Sequence, residues 1–297
     1  MWFVFAVLTA LFWGLADLFY KKGSAAEDRY SHLKITVAVG FVMGVHATVT
    51  LLTNPGIFSP VDMLKYLPVS AMYISSMMVG YFGLRYLELS VASPVQNASG
   101  AIVSLLCIIF LAAKVTAIEI SGMVLVTAGV ILLGVFERET PRLGEAKYHK
   151  GFNAILFPIS YCILDGLGTF GDALYLDEFE LITEKVALIA YEYTFFICAV
   201  VIFIYLKFIK KQKFAFVTEK NRFAAALLET AGQYFYVYAM SGRAVVAAPL
   251  IACYSAFSVI FSRVFLKEKL EVRQYLAVAA VLVGVACMGL AEGLSDG

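Results

Sequence analysis

The residues of this chain best suited to chemistry are acids set inside apolar runs. Tyr161, Asp165, Thr169 and Asp172 follow i, i+4, i+8 and i+11 spacing, which a helix turns into one polar stripe. Glu229, Gln233 and Tyr236 share a face at i, i+4 and i+7, and Thr9, Trp13 and Asp17 share one at i, i+4 and i+8. Glu192 stands between Tyr191 and Tyr193 in a further apolar run. An ionised side chain at the centre of a membrane helix costs about 2.5–3.5 kcal/mol, so it must pair, take up a proton or bind a cation. The chemistry on offer is therefore recognition of a cationic group together with proton exchange, with Asp17, Asp165, Asp172, Glu192 and Glu229 as the candidates. Blander roles compete: Asp17 could pair with Lys21 four residues on, and Glu192 could be structural. His46 reads first as a hydrogen-bonded packing residue and second as a proton relay. Gly166, Gly168 and Gly171 thin the helix bearing Asp165 and Asp172, allowing close packing or local unwinding about a ligand.

Such residues need elements that cross a bilayer. The chain has 297 residues, 61% hydrophobic and 15% charged, with mean hydropathy +0.84. Soluble domains run at about 45–50% apolar and 25% charged, so a water-soluble globule is excluded. Ten apolar runs occur, near 2–20, 35–52, 66–84, 91–113, 117–136, 151–176, 187–208, 223–240, 244–266 and 272–291. The first precedes Lys21 and Lys22 instead of following a basic stretch, so it is expected as a retained helix, not a cleaved leader. Gly40 and Gly44 form a G-x-x-x-G that favours close helix contact, and Pro158 is expected to kink the sixth run. The five cysteines lie in apolar runs without metal-ligand or disulfide spacing, so no metal and no cofactor is expected. No nucleic-acid module and no enzyme motif is visible, which leaves a solute, protons and the lipid bilayer as partners.

The runs are organised as a repeat. Residues 88–137 reappear as 243–292 at an offset of 155, with Pro94 on Pro249, Lys114 on Lys269, Gly129 on Gly284 and Glu137 on Glu292. The same offset carries Asp17 onto Asp172, whereas Asp165 and Glu229 meet Ala10 and Ile74. An odd number of spans per half makes the second half enter from the opposite side. The expected fold is all-α and integral to the membrane, with ten transmembrane helices in a 5+5 inverted-topology repeat. Residues 1–136 form the first half, 137–150 a cytoplasmic linker and 151–297 the second half. Of 23 Lys and Arg, only Lys65, Lys114, Lys185 and Arg243 fall on the side of the termini, so the termini are expected outside.

Gln96 and Asn97 in the fourth run could bond between helices or contact a solute, and tyrosines on several runs could face the same space. The candidate binding residues are Trp13, Tyr81, Gln96, Asn97, Tyr161, Asp165, Glu229, Gln233 and Tyr236. An aromatic wall beside carboxylates favours a cationic solute, a desolvated cation–π contact being worth about 2 kcal/mol.

Phe12-Trp13-Gly14, Ala247-Ala248-Pro249 and Phe265-Leu266-Lys267-Glu268-Lys269, with the glycine-bearing last run, resemble the EamA-type members of the drug/metabolite transporter superfamily. The resemblance covers nearly the whole chain. It implies a central cavity lined by spans one, three, four, six, eight and nine, with five and ten more peripheral. The family's glutamate motif survives only as Leu266-Lys267-Glu268, against Leu111-Ala112-Ala113 in the first half. The function expected is secondary active transport of a small polar metabolite, cationic or zwitterionic, across the plasma membrane of a prokaryote. The rivals are a lipid or lipid-linked-carrier flippase and a channel- or receptor-like protein without a transport cycle.

Overall fold

The computed structural model describes residues 1–23, 28–83, 96, 98–139, 156–214, 216–265 and 270–295. They form ten α-helices: α1 (Trp2–Gly23), α2 (Ser31–Thr53), α3 (Pro60–Gly83), α4 (Ser99–Phe110), α5 (Ala117–Glu139), α6 (Leu156–Asp172), α7 (Glu184–Ile204), α8 (Phe216–Ile251), α9 (Tyr254–Phe265) and α10 (Val272–Ser295). Short π-helical turns, Ala173–Glu178 and Tyr205–Ile209, prolong α6 and α7. No strand occurs among the described residues. A bilayer offers no water to backbone N–H and C=O groups, and a helix satisfies them within its own segment.

Six stretches are long and apolar enough to cross a membrane: Trp2–Tyr20, Ser31–Thr53, Ala117–Phe136, Glu184–Ile209, Glu219–Ile251 and Val272–Leu294. The described parts of the other four expected crossings, each of which includes residues outside those described, do not reach this length or apolarity. Helix α3 carries Asp62, Lys65 and several polar side chains, and α6 has 17 residues with two acids. The described parts of α4 and α9 have 12 residues each.

The ninth run is discontinuous. Helix α8 leaves helical geometry at Arg243 (φ −162°, ψ 76°), so 216–242 and 244–251 are separate rods, and a turn at 252–253 then leads into α9. Pro249 has no N–H, so the carbonyl of Val245 loses its usual partner four residues on. Ser104 on α4 fills that gap, its hydroxyl donating to Val245 O at 2.7 Å. Gly100 lets α4 come this close, since a Cβ there would lie 2.9 Å from Ala248 O and from Pro249 Cα.

Pro158 lies in the first described turn of α6, and the helix is continuous from there to Asp172. The glycines of α6 serve packing and not unwinding: a Cβ on Gly168 would lie 3.2 Å from the Tyr73 ring, and one on Gly171 2.9 Å from Val69.

Helices of the first half pack mainly on helices of the second. Helix α1 runs antiparallel to the first rod of α8, with Trp2 against Gly242, Thr9 Oγ1 3.4 Å from Gly232 O, and Gly23 O accepting from Arg222 Nε at 3.0 Å. Helix α3 lies on α6, α2 on α7, and α5 on α10. Glycines set two of these contacts: a Cβ on Gly40 would come within 2.4 Å of Ala199, and Gly122 and Gly284 each lie against the other's carbonyl oxygen. Capping also repeats. Thr116 N–H donates to Glu119 Oε2 at 2.7 Å, opening α5, and Glu271 N–H donates to Gln274 Oε1 at 2.9 Å, opening α10. These residues are again 155 apart.

Charge collects at the two ends. At the end away from Met1, Arg222 reaches Gly23 O, Asp28, Ser31 and Glu219, and Lys34 Nζ meets Asp28 Oδ2 at 2.8 Å. Burial works to raise the Asp28 carboxyl, but Lys34, the Tyr30 N–H and Arg222 outweigh it and hold the group below its ordinary value. At the end near Met1, Arg243 pairs with Glu119 and donates to Lys114 O at 3.0 Å. Replacing Ser104 with alanine strands the Val245 carbonyl, an unmet buried acceptor costing about 1–3 kcal/mol. Thermal unfolding of the purified Ser104→Ala protein in detergent is expected at a lower temperature than that of the unaltered chain.

Candidate functional site

A cavity of ≈ 200 Å³ lies inside the bundle, in the half away from Met1. Its walls come from the later turns of α1 (Trp13, Asp17, Tyr20) and α3 (Tyr73, Met77, Gly80), and from α6 (Tyr161, Asp165, Thr169). Helix α8 adds Glu229, Gln233 and Tyr236, and the broken ninth run adds Ala252, Tyr254, Ser255 and Ser258. Gln96 comes from before α4 and Ser99 from its first turn. Helices α5 and α7 also contribute, through Leu133 and Gly134 and through Tyr191, beyond the set that the family resemblance implies.

Trp13 is fixed by what its neighbours lack. A Cβ on Gly232 would lie 2.4 Å from Trp13 Cδ1, so only glycine lets the indole lie flat on α8. Its Nε1 donates to Glu229 O at 3.3 Å, its ring stacks on Tyr236 at 5.4 Å between centroids, and Tyr254 meets it edge-on at 6.2 Å. The next residue, Gly14, admits α9 on the other side, a Cβ there lying 2.9 Å from Tyr254 O. The Trp-Gly pair thus places an aromatic corner between α1, α8 and α9.

Three carboxylates line this space. Asp17 accepts from Ser258 Oγ at 2.7 Å, Asp165 has Ser99 as its hydroxyl neighbour, and Glu229 lies within electrostatic range of both other acids. Among the described lining residues there is no Lys, Arg or His. Buried and half-buried bases among the described residues are engaged elsewhere, as with Arg222 and Lys34 at one end and Arg243 at the other.

The other two acids lie off the cavity. Asp172, 0% exposed, sits behind the wall and accepts hydrogen bonds from Tyr66, from Tyr73 at 2.7 Å and from Tyr236 at 2.8 Å. Tyr73 and Tyr236 also contact each other, and Thr169 Oγ1 lies 2.9 Å from Tyr73 OH. Three phenols thus meet the carboxylate's needs without a counter-cation, and the cluster closes the cavity toward Met1. Glu192 lies on α7 with its carboxylate against His46 Nδ1 on α2, at 2.8 and 2.9 Å. His46 has the hydrogen-bonded role that its position suggested.

Of the sequence candidates, Trp13, Gln96, Tyr161, Asp165, Glu229, Gln233 and Tyr236 converge on one cavity, and Asp17 joins them. The Tyr81 side chain, Asn97, Pro94, Lys267, Glu268 and the linker 140–150 lie outside the described residues. Sequence reasoning did not single out Tyr66, Tyr191 or Ser258. Tyr66 and Tyr73, seven apart on α3, and Tyr254 and Ser258, four apart on α9, carry the helical spacing that could have found them.

Adding a methyl at Gly232 must displace the indole. In a Trp2→Phe background, where Trp13 is the sole tryptophan of the two in the chain, Gly232→Ala is expected to shift the emission maximum with helical content unchanged. An unchanged spectrum would contradict this packing.

Comparison with known proteins bears on the same architecture. A crystal structure of another protein superimposes with a TM-score of 0.72, covering 96% of this chain and 97% of that one at 12% identity, which shows a shared fold. No curated protein matches the chain. The model of the EamA-like transporter family matches residues 1–135 and 184–290, which leaves α6, with Asp165 and Asp172, between the matched stretches. The chain therefore belongs to the EamA-like transporter family, within the drug/metabolite transporters, and is an integral membrane transporter of small molecules.

Proposed function

We propose that this chain is a secondary active transporter that moves a small cationic or zwitterionic metabolite by alternating access, coupled to protons. The observation that carries the reading is the cavity with Asp17, Asp165 and Glu229 on its wall and no described base beside them. In a low-dielectric space an isolated carboxylate must be neutralised, either by a proton or by a cation. Solute and proton then compete for the same groups, and each can be exchanged for the other. Trp13, Tyr161 and Tyr236 contact the solute's apolar body, while Gln96 and Gln233 orient its polar groups. Tyr81 and Asn97 belong to the same proposed site.

The 5+5 inverted arrangement, with halves at 1–136 and 151–297, is supported by the recurrent offset and the matching capping boxes. The reciprocal packing of α1 on α8 and α3 on α6 agrees with it. In this reading Asp172 and its three tyrosines close the end near Met1, and Asp17, its repeat counterpart, is the group around which the other end closes. Glu192 with His46 braces α2 against α7 and stands apart from the coupling carboxylates. The basic end, with Arg222, Lys34 and the linker, faces the cytoplasm, and both termini lie outside.

Uptake into proteoliposomes is expected to change several-fold when a pH gradient is imposed. Glu229→Gln is expected to lower it at least tenfold and to remove the gradient response. Equal rates with and without the gradient would overturn the coupling. A reporter fused after Gly297 is expected to be active only if it works outside the cytoplasm; cytoplasmic activity would overturn the orientation.

A further inference from the structure

We infer that the solute is an organic amine carrying no carboxylate or phosphate, an inference that rests on the cation-or-zwitterion reading and narrows it. A zwitterion needs a partner for its anionic end as well as for its ammonium. The wall supplies the second in excess and the first hardly at all. Asp17, Asp165 and Glu229 face the cavity, and no lining residue among those described carries positive charge.

Several buried and half-buried bases among the described residues are held elsewhere. Arg222 is locked to Gly23 O, Asp28, Ser31 and Glu219, Arg243 to Glu119 and Lys114 O, and His46 to Glu192. One other source of positive potential is a helix N-terminus. The start of α9 does border the cavity, through Tyr254 and Ser255. In its first turn and a half, however, Ser258 already donates to Asp17 at 2.7 Å, which sets an acid of the protein beside that positive end. A solute carboxylate would displace or oppose Asp17.

What remains for a solute's neutral parts is aromatic and amide. Tyr73, Tyr161, Tyr191 and Tyr254 present rings, and Gln233, 6% exposed, presents an amide to the cavity. A volume of ≈ 200 Å³ suits a small body bearing one or two ammonium groups. Such a solute is the decarboxylated counterpart of an amino acid: it keeps the cation that three carboxylates recognise and lacks the anion that they repel.

The test compares matched pairs on the unaltered, purified chain: cadaverine with lysine, agmatine with arginine, and phenethylamine with phenylalanine. Each compound is titrated while the melting temperature is followed, because a ligand of the folded state raises it by mass action. At least one amine is expected to stabilise the protein with an apparent Kd tenfold or more tighter than its parent amino acid. That shift is expected to disappear in both Glu229→Gln and Asp165→Asn. An amino acid that binds as tightly as its amine would overturn this inference and leave the transport reading standing. Silence from every member of every pair would overturn both. An amine shift that survives both substitutions would overturn the assignment of the carboxylates. The pairwise comparison needs no variant, so it holds even where a substitution impairs folding.

Discussion

The structure is governed by the rule that a charge inside an apolar medium must find a partner. Most of the chain's buried charge obeys it locally. Arg222, Glu219, Asp28 and Lys34 neutralise one another at one end of the bundle, and Arg243 and Glu119 do so at the other. Glu192 takes His46 between α2 and α7, and Asp172 takes three phenols instead of a cation. After this sorting, Asp17, Asp165 and Glu229 remain around the cavity without a counter-charge among the described residues.

The frame that permits this is made by close helix contact. Lipid tails are as apolar as leucine, so helices in a bilayer gain little by hiding apolar surface and must gain by approach. Gly40 and Gly44 bring α2 onto α7, and Gly122, Gly129 and Gly284 bring α5 onto α10. These tight pairs are long, apolar helices that meet the requirements of a full crossing. The cavity wall draws on both kinds of helix: α1 and α8 supply Trp13, Asp17, Glu229, Gln233 and Tyr236, and α3, α6 and α9 supply Tyr73, Tyr161, Asp165, Tyr254 and Ser258.

Much of this was legible in the sequence because helical spacing and glycine are local signals. The i, i+4, i+7 pattern from Glu229 to Tyr236 and the glycine pair in α2 translate directly into faces. The Trp13-Gly14 dipeptide was visible too, but its meaning depends on Gly232, which lies 218 or more residues away and could not be linked to it by spacing. The five acids looked alike in the sequence, since each is a carboxylate in an apolar run. What separates them is tertiary: Asp172 meets phenols contributed by α3 and α8, and Glu192 meets an imidazole from α2. Partners brought by other helices leave no mark near the residue they satisfy.

The bond from Ser104 to the Val245 carbonyl has a mechanical side. In an ordinary helix, bending at such a point would stretch a backbone hydrogen bond along the rod. Here that bond is absent from the start because of Pro249, and its replacement runs sideways to α4. The second rod of α8 and the short helix α4 are therefore tied together at a point where the rod itself is slack. Flexing there would carry both elements as a unit and leave the backbone ladder on either side intact.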